Sequence, residues 1–254
     1  MAMSPIPHNF PESEVAAICR LYTAFSTQFD GEFGLGGKLL FLGELDEQTC
    51  GLVRAANIAG GASLSATADV ASQKQAIRDG VVDFLVTSLD EAARILKNQI
   101  RKRQPVAVCV AATPDSVAPE MAERGIVPDL HHPPNPASAL PDQPVPAEDA
   151  ILVAWSVSSA PARWLPRLDE FALECLDHDA MAARRWIRQA PRYLGELGRA
   201  FRLVSASREF GSRFVEHVRE RSAAGEIGAS GQIQLSFRGG CDEFNFGTES
   251  PSSH

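Results

Sequence analysis

The sequence lacks an excess of positive charge, and it lacks long apolar runs. It carries 24 Lys and Arg against 32 Asp and Glu, which gives a formal net charge of -8. A nucleic-acid or anionic-membrane surface needs a dense basic patch, so we expect neither kind of partner. A membrane helix needs ~20 consecutive apolar residues, and no stretch approaches that length. We therefore expect neither a membrane span nor a secretory leader.

Cysteine is also scarce. The five cysteines are an odd number and include no C-x-x-C pair. Disulfide-linked and zinc-binding folds rely on paired, closely spaced cysteines, so neither kind of fold is expected here. The pattern predicts reduced thiols and a cytoplasmic protein.

The order of apolar segments predicts the fold class. The chain has 254 residues and is 44% hydrophobic, which is enough for one large or two small domains. From residue 38, short β-branched or leucine runs alternate with longer amphipathic segments, as in βαβ units. The sequence therefore predicts an α/β protein. We expect a Rossmann-like, mainly parallel sheet flanked by helices, followed by a C-terminal helical layer.

Composition divides the chain into four parts. We predict a partly helical N-terminal segment, a Rossmann-like domain, a helical subdomain and a disordered tail, at 1–35, 36–160, 161–240 and 241–254. The domain includes strands at 38–45, 106–112 and 151–157. It also contains a loop, 131–148, whose six prolines preclude regular structure. The helical subdomain rests on three apolar stretches with helical spacing between 162 and 222.

The turn after the first predicted strand, GELDEQTCG, begins at Gly43. A phosphate-binding turn needs its glycines here, where bare backbone N–H groups face the ligand. The turn instead carries three acids, Glu44, Asp46 and Glu47, which favour the positive end of a helix dipole. We expect this turn to be structural and not to bind a pyrophosphate.

Two longer stretches resemble the NAD-binding domain of urocanase, also called urocanate hydratase. They are "AANIAGGASLSATADVASQKQAIRDGVVDFLVTSLDEAARIL" and "PEMAERGIVPDL". The resemblance covers Gly36 to Leu130 and rests on the order and spacing of four βα units. It implies a Rossmann-like domain and, in an intact family member, a lyase of histidine metabolism. That enzyme uses tightly held NAD as an electrophile, which forms an adduct with the imidazole ring of urocanate so that water can add.

Several residues of the family pattern are replaced in this sequence. The family's glycine-dense turn, GMGGAQ, corresponds to GELDEQTCG. Thr67 stands where the family has an acidic residue for the adenosine ribose, whereas Asp69 is retained. The family's Gly-Asn pair after the fourth strand corresponds to Ala112-Thr113, and its DQTSAHD segment corresponds to the residues from His131 onward. We find no match to the family's second catalytic core.

A ligand of an open parallel sheet binds beyond the carboxyl ends of the strands. The candidate binding residues are therefore Gly43, Thr67, Asp69, Thr87 and Thr113. We assign no catalytic residue and no metal site. NAD is the expected cofactor only if the family function is retained.

The resemblance and its departures lead to one main hypothesis and two alternatives. We interpret the chain as a urocanase-like protein without NAD binding or catalysis, acting as a small-ligand-binding or partner subunit. One alternative is an active NAD-dependent lyase that uses a remodelled turn or a partner chain. The other is a new enzyme on the old sheet, with Cys50 or the strand-end threonines in its site.

The expected partners are a small metabolite and either a second copy of the chain or a larger urocanase-type protein. If the helical subdomain forms a dimer, buried aromatic and leucine side chains should anchor it. The predicted anchors are Phe171, Leu194, Phe201 and Phe214.

Two weaker signals remain. Asp129, His131 and His132 form a His/carboxylate cluster, but neighbouring side chains of an extended segment point in opposite directions, which disfavours joint metal ligation. Cys109 lies in an apolar strand, which favours an inert buried thiol over a nucleophile.

Overall fold

The computed structural model of the protein describes residues 6, 10–29, 33–131, 150–237 and 240–247. The chain divides into two compact units. The parallel-sheet unit comprises Arg20–Pro144, and the antiparallel-sheet unit comprises Met1–Cys19 with Val145–His254. The first helix, α1 (Glu14–Gln28), contributes residues to both units and lies in the segment expected to be partly helical.

The parallel-sheet unit has the predicted Rossmann-like architecture. Its described elements are, in chain order, β1 (Leu39–Glu44), α2 (Glu47–Ile58), β2 (Ala62–Ala66), α3 (Val70–Arg78), β3 (Phe84–Val86), α4 (Leu89–Arg101), β4 (Val106–Val110), α5 (Pro114–Glu123) and β5 (Leu130–His131). The strands are all parallel, in the order β3-β4-β2-β1-β5. The prediction that 38–45 and 106–112 are strands of one sheet is therefore confirmed.

The two faces of this sheet are covered by different helices. Alternate residues of β1, Leu39 and Phe41, share a core with side chains of α4 and α5. The other face meets α2, which contacts β1 and β2 and buries Leu52, Val53 and Ala56. Both faces of the central strands are therefore buried, which explains the continuous apolar sequence of β4.

The antiparallel-sheet unit has its own sheet and helices. Its described elements are β6 (Ala150–Val157), α6 (Pro161–Cys175), α7 (Met181–Tyr193), β7 (Phe201–Ser207), α8 (Arg208–Ala223), β8 (Gly231–Phe237) and β9 (Gly240–Phe246). The strands pair in the order β7-β6-β8-β9, all antiparallel. The Trp155 ring of β6 packs edge-on against Phe214 of α8 at 5.1 Å, and its Nε1–H bonds Asp169 of α6. The helices α6 and α8 thus cover one face of the sheet.

The predicted boundary at residue 160 is wrong. The strand expected at 151–157 belongs to β6, which pairs with β7 and β8 and not with the parallel sheet. An apolar run identifies a buried strand but does not specify its partners, so a second sheet could not be predicted from this run.

Two segments expected to be helical or disordered are strands. The helical spacing expected between 162 and 222 is interrupted: α7 ends at Tyr193 and 201–207 forms β7, because Gly195 takes a left-handed φ of 56° that ends the helical path. The segment 240–246, mostly within the predicted tail, forms β9, in which Phe244 packs under Arg219. The C-terminal layer is therefore made of helices and an antiparallel sheet.

The predicted interface anchors are also wrong. Phe171, Leu194, Phe201 and Phe214 are all buried within the chain itself. A side chain that its own fold covers completely offers no surface to a partner. Residues 132–148 of the predicted Pro-rich loop lie outside the described residues, as do residues 248–254 of the predicted tail.

Candidate functional site

The candidate site is the carboxyl edge of the parallel sheet. Because the strands run in one direction, the residues that follow β1, β2, β3 and β4 all lie at this edge. The β2 and β1 ends are directly linked, since the Leu45 amide donates to the Ala66 carbonyl oxygen at 3.0 Å. The β2 and β4 ends are linked in the same way, by the Thr67 amide and the Val110 carbonyl oxygen at 3.1 Å.

The chain connections predict an opening between β2 and β4. The helix after β2, α3, lies on the side of α2, where Nη2 of Arg54 donates to the Asp79 carbonyl oxygen. The helix after β4, α5, lies on the opposite face, where Val117 and Met121 join the α4 core. Neighbouring strands whose connections diverge leave a crevice at their carboxyl ends. The segments beside this crevice are those from Thr67 to Asp69 and from Ala111 to Thr113.

The turn between β1 and α2 is irregular. Gly43 has a φ of 66°, a left-handed conformation that other residues rarely adopt. The pairing of β1 with β2 shifts register between Phe41 and Glu44. Gly43 therefore allows the strand to bend, and the Glu44 side chain that follows is exposed.

Acidic side chains occupy the amino end of α2. Asp46 is the N-cap residue, and its Oδ1 accepts a hydrogen bond from the Thr49 amide at 2.8 Å. Glu47 lies in the first turn and is exposed, as is Asp46. The prediction that acids of this turn cap the helix is confirmed for Asp46. The Thr49 amide is consequently not open to a phosphate.

The sequence of this unit also matches the model of a known protein family. Residues 21–137 match the family model of the urocanase Rossmann-like domain. The parallel-sheet unit is therefore similar to the urocanase Rossmann-like domain. The match covers slightly less than half of the chain and includes all five parallel strands.

In the parallel-sheet unit, Thr67 is a structural residue. Its side chain is fully buried, and its hydroxyl oxygen accepts from the Asp69 amide at 3.2 Å. The Thr67 carbonyl oxygen accepts from Nε2 of Gln73 at 2.8 Å. The turn between β2 and α3 is therefore held by bonds to both the side chain and the backbone of Thr67. The role of Gln73 could not be predicted, because a single glutamine on a short polar helix produces no periodic signal.

Asp69 is the N-cap residue of α3. Its Oδ2 accepts from the Ser72 hydroxyl at 2.7 Å and from the Ser72 amide at 2.8 Å, and its Oδ1 accepts from the Ala71 amide. The bond from the Ser72 hydroxyl, followed by those from the two amides, holds the pKa of Asp69 below its usual value. Both carboxylate oxygens are therefore engaged in stabilising the helix end.

The remaining predicted residues, Thr87 and Thr113, are exposed at the ends of β3 and β4. Oγ1 of Thr113 lies 3.2 Å from Oγ of Ser116, which itself donates to the Thr113 carbonyl oxygen at 2.7 Å. Thr113 is beside the β2–β4 crevice, whereas Thr87 lies at the sheet edge beyond β4. The five predicted residues thus share one edge without converging on one point.

The thiols near this edge differ in access. Cys109 is fully buried in β4, and desolvation raises the pKa of its thiol. It therefore has the character of an inert core residue. Cys50 is half-buried in the first turns of α2.

The predicted His/carboxylate cluster is divided among other contacts. Asp129 accepts from Nζ of Lys38 and from the Leu39 amide, each at 2.9 Å. The His131 ring packs edge-on against Phe41, and His132 lies outside the described residues. Across the part of the chain that the structure describes, no three His, Cys, Asp or Glu side chains are grouped to hold a metal ion. No helix in that part is long and apolar enough to cross a membrane.

Proposed function

We propose that this chain is a urocanase-related protein that does not bind NAD and does not catalyse the urocanase reaction. In this proposal its Rossmann-like domain serves as a small-ligand-binding or partner subunit. The observation that carries the proposal is the hydrogen bond between Oδ1 of Asp46 and the Thr49 amide. A helix amide in a phosphate-binding turn must be available to the ligand, and here a carboxylate of the chain already occupies it.

Electrostatic repulsion supports the same conclusion. A carboxylate about 4 Å from a phosphate charge repels it by roughly 1 kcal/mol in water and roughly 4 kcal/mol at an effective dielectric of 20. Glu44 and Glu47 are exposed, so the lower half of this range applies to each. Together they would weaken binding of a pyrophosphate at this turn by about a hundredfold.

The ribose end of a dinucleotide would meet similar obstacles. The resemblance to urocanase implies an acidic residue at position 67 that holds the adenosine ribose, and the chain has a fully buried threonine there. Asp69, which the family retains, already accepts three hydrogen bonds within its own helix end. Neither side chain presents an open carboxylate to a ribose.

The β2–β4 crevice is where we place a small ligand. Thr113 is exposed beside it and offers a hydroxyl group, and the chain connections diverge there. None of the five cysteines is in a disulfide, which favours a reducing compartment such as the cytoplasm.

Calorimetric titration with NAD tests the proposal. We expect no saturable heat for the unmodified protein up to about 1 mM NAD, and no consumption of urocanate when both compounds are supplied. The double variant Glu44→Gln/Glu47→Gln should gain affinity, because it removes two charges and keeps the side-chain size. Glu123→Gln is the matched control. It removes an exposed acid from the last residue of α5, at the end of that helix opposite to the one that follows β4.

The outcomes separate the hypotheses. A micromolar dissociation constant for the unmodified protein, or turnover of urocanate above the buffer rate, would refute the proposal and favour an active lyase. No gain in the double variant would show that charge is not what excludes the cofactor.

A further inference from the structure

A row of buried polar side chains lies on one face of the antiparallel sheet. Trp155 of β6 points toward α6 and α8, so its neighbour Ser156 points to the opposite face. Gln232 lies directly opposite Ser156 on β8, and Gln234 is two residues further along β8 on the same face. Ser156, Gln232 and Gln234 are only 0%, 7% and 3% exposed. We call these three residues the β6–β8 polar row. Buried polar atoms normally have hydrogen-bond partners, so each atom of the row requires one.

The hydrogen bonds of the row run in one direction. Nε2 of Gln232 donates to Oε1 of Glu243 on β9. Because a carboxylate only accepts hydrogen bonds, Gln232 presents its amide nitrogen to Glu243 and its oxygen to the row. That oxygen accepts from Nε2 of Gln234 at 3.2 Å. The acceptor at Glu243 therefore determines the orientation of both amides, and Oε1 of Gln234 is the end of the chain of bonds.

Two atoms of the row lack a partner. Among the residues that the structure describes, neither Oε1 of Gln234 nor Oγ of Ser156 has one. The two residues are diagonal neighbours across paired strands, a relation that separates side chains by about 7 Å and prevents a direct bond. Ala154, which faces Gln234 on β6, carries only a methyl group. A molecule that bridges the two atoms would satisfy both of them.

We propose that the β6–β8 polar row binds a small primary amide, which bridges Oε1 of Gln234 and Oγ of Ser156. The Gln234 oxygen only accepts, so the ligand must donate a hydrogen bond to it, whereas the Ser156 hydroxyl can donate or accept. A primary amide meets both requirements, because its N–H donors and its carbonyl acceptor are on the same carbon. A charged ligand is disfavoured, since the site is buried and Glu243 is already bonded to Gln232.

The same face of the sheet connects the row with the surface. Ser158 follows Ser156 by two residues and is exposed, and Ser230 precedes Gln232 by two residues and is half-buried. The hydroxyl oxygens of Ser158 and Ser230 lie 2.7 Å apart. Polar side chains thus extend from the end of the sheet to the buried atoms, which provides a route for a small polar ligand.

An NMR titration with acetamide tests the proposal, followed by the side-chain amide signals of Gln232 and Gln234. We expect saturable shifts with a dissociation constant in the millimolar range, because so small a molecule makes few contacts. Acetone is the matched control ligand, since it has the same number of heavy atoms and a carbonyl acceptor but no donor. It should bind about tenfold more weakly, because it leaves Oε1 of Gln234 without a donor.

Substitutions in the row should weaken acetamide binding. Gln234→Met removes the acceptor at similar size, and Ser156→Ala removes the hydroxyl, so each should raise the dissociation constant about tenfold. Ser205→Ala is the matched control, since Ser205 is half-buried on the same face but lies outside the row, opposite Leu152. It should leave the affinity unchanged.

Urea unfolding without ligand gives an independent measurement. Ser156→Ala removes a buried hydroxyl that has no partner, so its unfolding midpoint should rise. A lower midpoint would show that an internal water already bonds this hydroxyl, and it would overturn the proposal.

Three results of the titration would also overturn it: no saturable shift with acetamide, equal binding of acetone, or acetamide binding that both substitutions leave intact. If Gln234→Met does not fold, Ser156→Ala still decides the outcome. The row lies in the antiparallel-sheet unit, so none of these results depends on whether NAD binds at the β1–α2 turn.

Discussion

Replacing Asp169 by alanine is expected to destabilise the antiparallel-sheet unit. Asp169 is 8% exposed and accepts from Nε1 of Trp155 at 3.1 Å and from Nε of Arg202 at 3.0 Å. Burial raises the pKa of Asp169, and the Arg202 guanidinium and the Trp155 N–H oppose that rise. One carboxylate thus joins α6 to the neighbouring strands β6 and β7.

The loss in free energy of unfolding depends on the donor groups that the substitution leaves without an acceptor. Removing one partner of a buried ion pair costs about 3–5 kcal/mol, and a buried N–H without an acceptor costs about 1–3 kcal/mol. Arg202 keeps a second acceptor, the Gly198 carbonyl oxygen, so part of its charge remains compensated. We therefore expect Asp169→Ala to lower the free energy of unfolding by about 3 kcal/mol.

Two further variants separate charge from hydrogen bonding. Asp169→Asn keeps an acceptor for Trp155 and should cost about 1–2 kcal/mol. The double variant Asp169→Leu/Arg202→Met removes both charges, and its stability should return to within about 1 kcal/mol of the unmodified protein. We expect such recovery if the free-energy cost of desolvating the two charges offsets most of the attraction between them.

Urea unfolding, followed by circular dichroism and by tryptophan fluorescence, measures these differences. Fluorescence is informative because Trp155 is fully buried beside the substituted residue. A loss of less than about 1 kcal/mol for Asp169→Ala would refute the reasoning, since it would mean that water reaches the pair. A double variant as unstable as the single one would refute the argument about desolvation.

Two other substitutions test single contacts. Asp46→Ala should lower stability by about 1 kcal/mol, because the Thr49 amide loses its acceptor, whereas Asp46→Asn should cost less; thermal unfolding compares them. Burial alone would raise the pKa of Asp129, but the bonds from Lys38 and the Leu39 amide lower it below its usual 3.8. A carboxyl group whose pKa is lowered by folding stabilises the fold at pH values above its usual pKa. That stabilisation is lost as the pH falls through the folded-state pKa. The stability difference between the unmodified protein and Asp129→Asn should therefore be present at neutral pH and disappear in acid, and urea unfolding at a series of pH values measures it.

The parallel sheet could be predicted because local signals and periodicity agreed. Ser88 accepts from the Glu91 amide at the start of α4, and Asp69 caps α3, so a side chain close in sequence begins each helix. The run Val106 to Val110 is buried on both faces of the sheet. Each of these features depends on residues close together in sequence, so the residue pattern alone identifies them.

The second sheet could not be predicted for the opposite reason. Whether Ile151 pairs with the first sheet or with Ala206 depends on a contact between distant residues that periodicity does not report. The segment from Phe201 to Ser207 continued a helical spacing of apolar residues, and pairing with β6 overrode that local pattern. Likewise, the sequence marked Phe201 and Phe214 as apolar but could not show which apolar side chains the fold leaves exposed.

The acids at the β1–α2 turn have two effects that reinforce each other. A phosphate-binding turn leaves helix amides for the ligand, so the ligand-free protein carries donors without acceptors. Asp46 supplies such an acceptor from within the chain, and Glu47 adds negative charge at the positive end of the dipole. A ligand with a dissociation constant of about 1 mM stabilises the fold by only about 0.4 kcal/mol when supplied at about 1 mM. The cap contributes about 1 kcal/mol without any ligand. The acidic residues that disfavour a phosphate at this turn therefore also stabilise the helix end that a phosphate would otherwise stabilise. The turn is consistent with a fold that is stable without a cofactor.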